Sequence, residues 1–108
     1  MFDSINVDQL HPKWLLAHNN SRPFTLIDVR SLEEYQSGHV PGAQLIPLNT
    51  LMARVSDVPK VEDVFMICHS GVRSAQAADY LSRQYGYKNL FNVQGGTMAW
   101  LQAGYPSE

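Results

Sequence analysis

Cysteine is almost absent from this chain, with one residue, Cys68, in 108. A single cysteine excludes an internal disulfide, a CxxC redox pair and a cysteine-rich zinc site, and it leaves no second thiol to resolve an oxidised one. Sulfur or redox chemistry at Cys68 therefore involves a reactant from outside the chain. Long apolar runs are missing too. No segment approaches the roughly 20 apolar residues of a membrane span, and the opening MFDSINVDQL has an acid at position 3 and no stretch of signal-peptide length. On those grounds the cytoplasm is the expected compartment and a membrane is not an expected partner. Charge of one sign is also scarce. Eight Lys and Arg face ten Asp and Glu, a formal net charge of -2 with a pI near 6.0. Scattered cations do not make a nucleic-acid footprint, so small substrates or protein partners are favoured.

What is present is ordinary globular material, 44% hydrophobic and 17% charged, enough for one core in one domain spanning 1–108. Five short apolar runs read as buried strands: 5–7, 24–29, 43–46, 64–67 and 90–93. The second and fourth, FTLIDV and VFMI, are nearly continuous rather than alternating, as in strands covered on both faces of a parallel sheet. Helix signals lie between them. HPKWLLAHNN places Pro12 in a first turn, SLEEYQSG sets Ser31 and Glu34 at capping-box spacing, and NTLMARV offers Asn49 as an N-cap. GVRSAQAADYLSRQYG, with Ala75, Ala78, Tyr80, Leu81 and Tyr85 on or near one face, and GGTMAWLQAG supply the last two. Strands alternating with helices predict an α/β three-layer sandwich, a five-stranded, mostly parallel sheet flanked by helices.

Cys68 stands at the carboxyl end of the fourth strand, just before the longest helix, where open α/β sheets build sites. A nucleophilic cysteine reacts as thiolate, so its pKa must be lowered by a helix N-terminus, a cation or both. The stretch His69, Ser70, Gly71, Val72 and Arg73 can supply both. Uncommitted amides at the start of the helix can point at whatever the sulfur carries, and Gly71 permits the tight curl. Such a ring of donors stabilises a thiolate, a persulfide or an oxyanion equally well. The competing reading is a small apolar residue ending a buried strand, but that gives no reason for Gly-x-Arg-Ser immediately after it.

CHSGVRS, with LIDVRSLEEYQSGHVPGAQLIP upstream and LFNVQGGTMAWLQAGYP downstream, resembles the rhodanese family of sulfurtransferases over nearly the whole chain. That resemblance implies a five-stranded parallel sheet flanked by helices and a transferable sulfur carried on Cys68 as a persulfide. It also implies His69 to Arg73 as the substrate-binding loop and Asp28 and Arg30 as structural neighbours. Thiosulfate or a persulfide would be the donor and cyanide or a thiol the acceptor, with no metal or organic cofactor required. Phosphatases resembling rhodanese separate cysteine and arginine by five residues. Here four stand between Cys68 and Arg73, and Ile67 precedes the cysteine where the phosphatase pattern has histidine. A shorter loop suits one sulfur atom better than a phosphoryl group. A partner-dependent sulfur-relay or binding module is the other alternative.

His69 either helps hold an anion or points to solvent. Arg73 either grips an anionic donor or braces the loop against Asp28 or Glu34, with bracing plus a long-range field preferred. The hydroxyls of Ser70 and Ser74 can bond the sulfur or cap the helix, and capping is expected of Ser74. His39 is expected to bond nearby backbone rather than a metal, and Trp100 to pack in the core.

Overall fold

The computed structural model describes residues 2–108. Along the chain run β1 (Asp3–Asn6), α1 (Val7–Asn19), β2 (Thr25–Asp28), α2 (Leu32–Gln36), β3 (Gln44–Leu45), a 3-10 helix η1 (Leu48–Asp57), β4 (Val64–Ile67), α3 (Val72–Tyr85), β5 (Leu90–Gln94) and α4 (Gly96–Gln102). The five strands form one sheet in the order β1-β5-β4-β2-β3, and every pairing is parallel. β4 therefore runs up the middle, which is why VFMI is apolar throughout: all four of its residues are buried.

Alternation along the central strands divides the interior into two cores. Ile27, Val64 and Met66 face Ala77, Ala78 and Leu81 of α3 and Leu51 of η1. Leu26, Phe65 and Ile67 face Leu10 and Trp14 of α1 and Trp100 of α4. Helices thus cover both faces, giving the three layers the alternation of elements predicts. Trp100 is fully buried, as expected, and its indole donates to the carbonyl of Pro106 at 2.6 Å. None of the described helices is long and apolar enough to cross a membrane.

Three helix readings need correction. α1 begins at Val7, not near Pro12, because Asn6 caps it: its side chain accepts from the Gln9 amide at 2.8 Å while Gln9 returns a bond to Asn6. Pro12 sits inside the helix on the exposed side, where a missing donor costs least. The NTLMARV segment is a 3-10 helix flanked by Pro47, so Asn49 is not a cap. On α3 the buried residues are Ser74, Ala77, Ala78, Leu81 and Ser82, a cleaner 3–4 spacing than the face drawn through Ala75 and Tyr85.

Candidate active site

Cys68 follows the last residue of β4 and is only 1% exposed, with its chain carried directly into α3 by the loop 69–71. Gly71 makes the turn possible. Its φ of 103° is left-handed, and a Cβ there would press against the Gly95 amide and the Val93 carbonyl, each 3.3 Å away. The amide of Gly71 donates to Cys68 Sγ at 3.1 Å.

The start of α4 holds the other side of the loop. Thr97 N–H donates to the carbonyl of Cys68 at 2.8 Å and Met98 N–H to that of His69 at 3.0 Å. Because carbonyl and amide point oppositely across a trans peptide, pinning these two carbonyls toward α4 turns the His69 and Ser70 amides the other way, inward. Gly96 permits the close approach: at φ 60°, a Cβ would collide with the carbonyl oxygens of Cys68 and His69. The Gly95-Gly96 pair is thus part of the loop's scaffold, and the expectation of a helix opening beside the site holds.

Ser74 is where the geometry departs from expectation. It does not cap α3; Gly71 occupies the N-cap with no side-chain bond. Ser74 is fully buried one turn in, with its hydroxyl 3.3 Å from Cys68 Sγ and 2.6 Å from Asn92 Oδ1. The amide group of Asn92 in turn donates to the Gly71 carbonyl at 3.2 Å. Asn92 was not among the sequence candidates. The available signal was a lone polar residue inside the apolar run LFNV, and such a residue, when buried, needs partners.

These contacts set the character of the thiol. Burial pushes its pKa up, but the Ser74 hydroxyl together with the amides of Ser74, Gly71 and Ser70 outweighs burial, and the net direction is below the ordinary thiol value.

Arg73 points its guanidinium at Glu34 of α2, Nη1 to Oε1 and Nη2 to Oε2, both at 2.7 Å. The preferred role for Arg73, bracing, is the one seen, with Glu34 and not Asp28 as the brace. Glu34 also accepts from the amide of Ser31, completing the predicted capping box, so α2 and the cysteine loop share one carboxylate. The Arg73 hydrogen bonds hold the Glu34 carboxyl at about 2 against its usual 4.5, partly opposed by burial. Asp28 and Arg30 form a buried pair, Nη2 to Oδ2 at 2.8 Å, and Arg30 also reaches the Gly38 carbonyl. That is the structural role expected of them. A cleft of about 390 Å³ opens beside Arg73, lined also by Val29, Leu48 and Asn49.

The remaining loop residues are less engaged. His69 and Ser70 are exposed, and Val72, the first residue of α3, is 63% exposed. His39 is occupied by backbone and an aromatic neighbour, its Nδ1 2.8 Å from the Tyr35 carbonyl and its ring stacked on Tyr35.

A parallel five-stranded sheet with helices on both faces, a cysteine at the carboxyl end of the central strand and a glycine loop whose amides approach its sulfur define a cysteine-loop α/β domain. Comparison with known proteins narrows this class. Residues 11–103 match the family model for the rhodanese-like domain, and the chain belongs to that family. A sulfurtransferase of Allochromatium vinosum is 41% identical over 81 residues, covering 75% of each chain. A putative sulfur carrier protein of Bacillus subtilis is 35% identical over 76% of this chain and 44% of its own. Among solved structures, a rhodanese-like domain protein from Staphylococcus aureus superposes with a TM-score of 0.78 at 36% identity over 92% of this chain and 91% of that one. A rhodanese-related protein from Thermoplasma volcanium gives 0.80 at 28% identity over 99% and 98%.

Proposed function

We propose that the chain acts as a single rhodanese-like unit whose Cys68 thiolate takes sulfane sulfur from thiosulfate or a persulfide and passes it to cyanide or a thiol. The observation that carries this reading is the approach of Gly71 N–H and Ser74 Oγ to one sulfur, 3.1 and 3.3 Å away. With thiosulfate, Cys68 S⁻ attacks the outer sulfur, the S–S bond of the donor breaks, and sulfite leaves with its electron pair. The inward amides hold the resulting persulfide. Cyanide then attacks its terminal sulfur, forming thiocyanate and returning Cys68 as thiolate; a thiol acceptor leaves as a persulfide instead. Val72, His69 and Ser70 form the mouth through which donor and acceptor meet the sulfur.

Intact-mass measurement after incubation with thiosulfate tests the proposal. A gain of one sulfur atom, lost on adding cyanide and absent in Cys68→Ser, is expected; thiosulfate:cyanide activity retained by Cys68→Ser overturns it.

A partner-dependent relay is supported by one specific observation. Arg73 already spends two of its five donors on Glu34, which leaves little attraction for a free dianion on a chain of net charge -2. Sulfur uptake from a protein persulfide but not from thiosulfate is the expected result of that reading. A phosphatase reading finds no support in a proton donor: the carboxylates of Glu34 and Asp28 are engaged by Arg73 and Arg30.

A further inference from the structure

Ser74 has one hydroxyl proton and two neighbours that can take it. Asn92 Oδ1 lies 2.6 Å away and Cys68 Sγ 3.3 Å away. The orientation of Asn92 is fixed from its other end. The Gly71 carbonyl, 3.2 Å from Nδ2, can only accept, so the NH₂ group faces Gly71 and the oxygen faces Ser74. With Asn92 so held, the Ser74 proton goes to Oδ1, and a neutral Cys68 completes the chain by donating its S–H to Ser74 Oγ. A thiolate changes the arrangement: it has no proton to give and needs one from Ser74, which then leaves Asn92 Oδ1, buried in β5, without its donor.

We infer that Asn92 is a positioning residue for Cys68, competing with the thiolate for the single Ser74 proton and so setting how readily the nucleophile ionises. This deepens the sulfur-transfer reading and rests on it. When Cys68 ionises, its proton passes to a base in solution and the Ser74 hydroxyl rotates from Asn92 to sulfur. Only the S–H bond breaks, its proton bound by the base and its electron pair kept on sulfur, and no bond between heavy atoms is made or broken. The charged groups around the sulfur give or take no proton in this exchange, and Arg73 acts on the thiolate only through its field. Arg73 on α3 is paired with Glu34 of α2, Asp28 of β2 is paired with Arg30, and His69 is exposed on the loop. The segments of β5 and α4 that face the loop bring Asn92, Thr97 and Met98, none of which titrates.

The consequence is a pair of effects of opposite sign. Ser74→Ala removes the donor and raises the Cys68 pKa. Asn92→Leu removes the competing acceptor, frees the hydroxyl for the sulfur and lowers it. A purely structural role for Asn92, loosening the Gly71 turn, would weaken the amide cradle and raise the pKa in both. The measurement is the pH dependence of Cys68 alkylation by iodoacetamide and of thiolate absorbance, neither of which requires sulfur transfer. Below the midpoint, Ser74→Ala is expected to react about threefold to tenfold more slowly than wild type and Asn92→Leu faster by a similar factor. In Ser74→Ala/Asn92→Leu the gain is expected to vanish, because Asn92 acts only through Ser74. A slower or unchanged Asn92→Leu, or a gain that survives in the double variant, overturns the inference.

A second measurement covers misfolding of the Asn92 variant. In wild type the side-chain NH₂ resonance of Asn92 is expected to titrate with the Cys68 midpoint, and in Ser74→Ala to stay flat while Cys68 still ionises; titration in both, or in neither, overturns the inference. Absence of sulfur uptake with these shifts intact would refute the transfer reading alone.

Discussion

The guanidinium of Arg73 meets the carboxylate of Glu34 fork to fork, with both nitrogen–oxygen distances 2.7 Å across 39 residues of sequence. The pair joins α2, which follows β2, to the first turn of α3, which follows β4. It therefore fixes the mouth of the cysteine loop from outside, while the Thr97 and Met98 amides fix it from behind. A bidentate arginine resists rotation as well as displacement, which lysine cannot do.

Glu34→Gln keeps the capping box through Oε1, since glutamine serves at that position, and removes the charge together with the second acceptor facing Arg73. Both partners are about a third exposed, 36% and 35%, so solvent screens the pair and its loss is expected to cost no more than about 1 kcal/mol. The pH dependence has a definite sign. The carboxyl is depressed from 4.5 to about 2 in the folded protein, so its contribution is present above 4.5 and is lost as pH falls toward 2. Urea midpoints of wild type and Glu34→Gln are expected to differ near neutrality and converge across that window; a constant gap would mean the charge of Glu34 is not responsible.

Gly96→Ala and Gly104→Ala separate a backbone preference from a contact. Both glycines are left-handed, at φ 60° and 81°, but a Cβ at Gly104 meets nothing within 4 Å, whereas one at Gly96 runs into the backbone of Cys68 and His69. Gly104→Ala is expected to cost about 1–2 kcal/mol, the left-handed penalty alone. Gly96→Ala must also push α4 off the cysteine loop, and a loss on the order of 3–5 kcal/mol is expected, with faster hydrogen exchange at the Thr97 and Met98 amides. Equal melting temperatures for the two would refute the contact.

Asp28 and Arg30 are both nearly inaccessible, at 0% and 4%. Removing one partner strands the other's charge, so Asp28→Ala is expected to lose about 3–5 kcal/mol, and the double replacement Asp28→Ala/Arg30→Met distinctly less than the sum of the singles. Guanidinium unfolding of the four proteins checks this, and additive losses would show that the pair is not coupled.

Much of this was legible in residue order. Continuous apolar strands, short helices and the glycine at position 71 point to the parallel sheet and to a loop around Cys68, because those signals are local. What escaped was set by contacts between distant segments. Asn6 lies beside Ile5 in what reads as strand, so its pairing with Gln9 was hidden and Pro12 took the role of first-turn residue. Ser74 reads as a cap by its place near a helix start. Only the packing of β5 against α3 shows its hydroxyl shared between Cys68 and Asn92. For Arg73 the sequence offered two carboxylates, and the choice of Glu34 over Asp28 followed from Asp28 already being filled by Arg30.

Loop length is the remaining determinant open to test. Four residues separate Cys68 from Arg73, and within that span the Gly71 amide reaches back to Sγ at 3.1 Å while Arg73 is anchored to Glu34. Both ends of the loop are therefore fixed, by β4 on one side and the Glu34 pair on the other. One extra glycine between Ser70 and Gly71 must bulge outward and widen the ring of amides. The Gly71 donor then moves off the sulfur, and the cradle proposed to hold a persulfide loses that contact. Charge-assisted contacts weaken steeply with distance and misalignment. The insertion variant is expected to fold with nearly unchanged circular dichroism and to take up sulfur from thiosulfate at least about tenfold more slowly, since one such contact to a charged group is worth about 1.5–3 kcal/mol. If ring size sets selectivity, Cys68 in that variant is expected to gain protection from alkylation by phosphate or vanadate, oxyanions larger than a single sulfur atom. Undiminished sulfur uptake in the lengthened loop would show that ring size does not govern the proposed sulfur transfer.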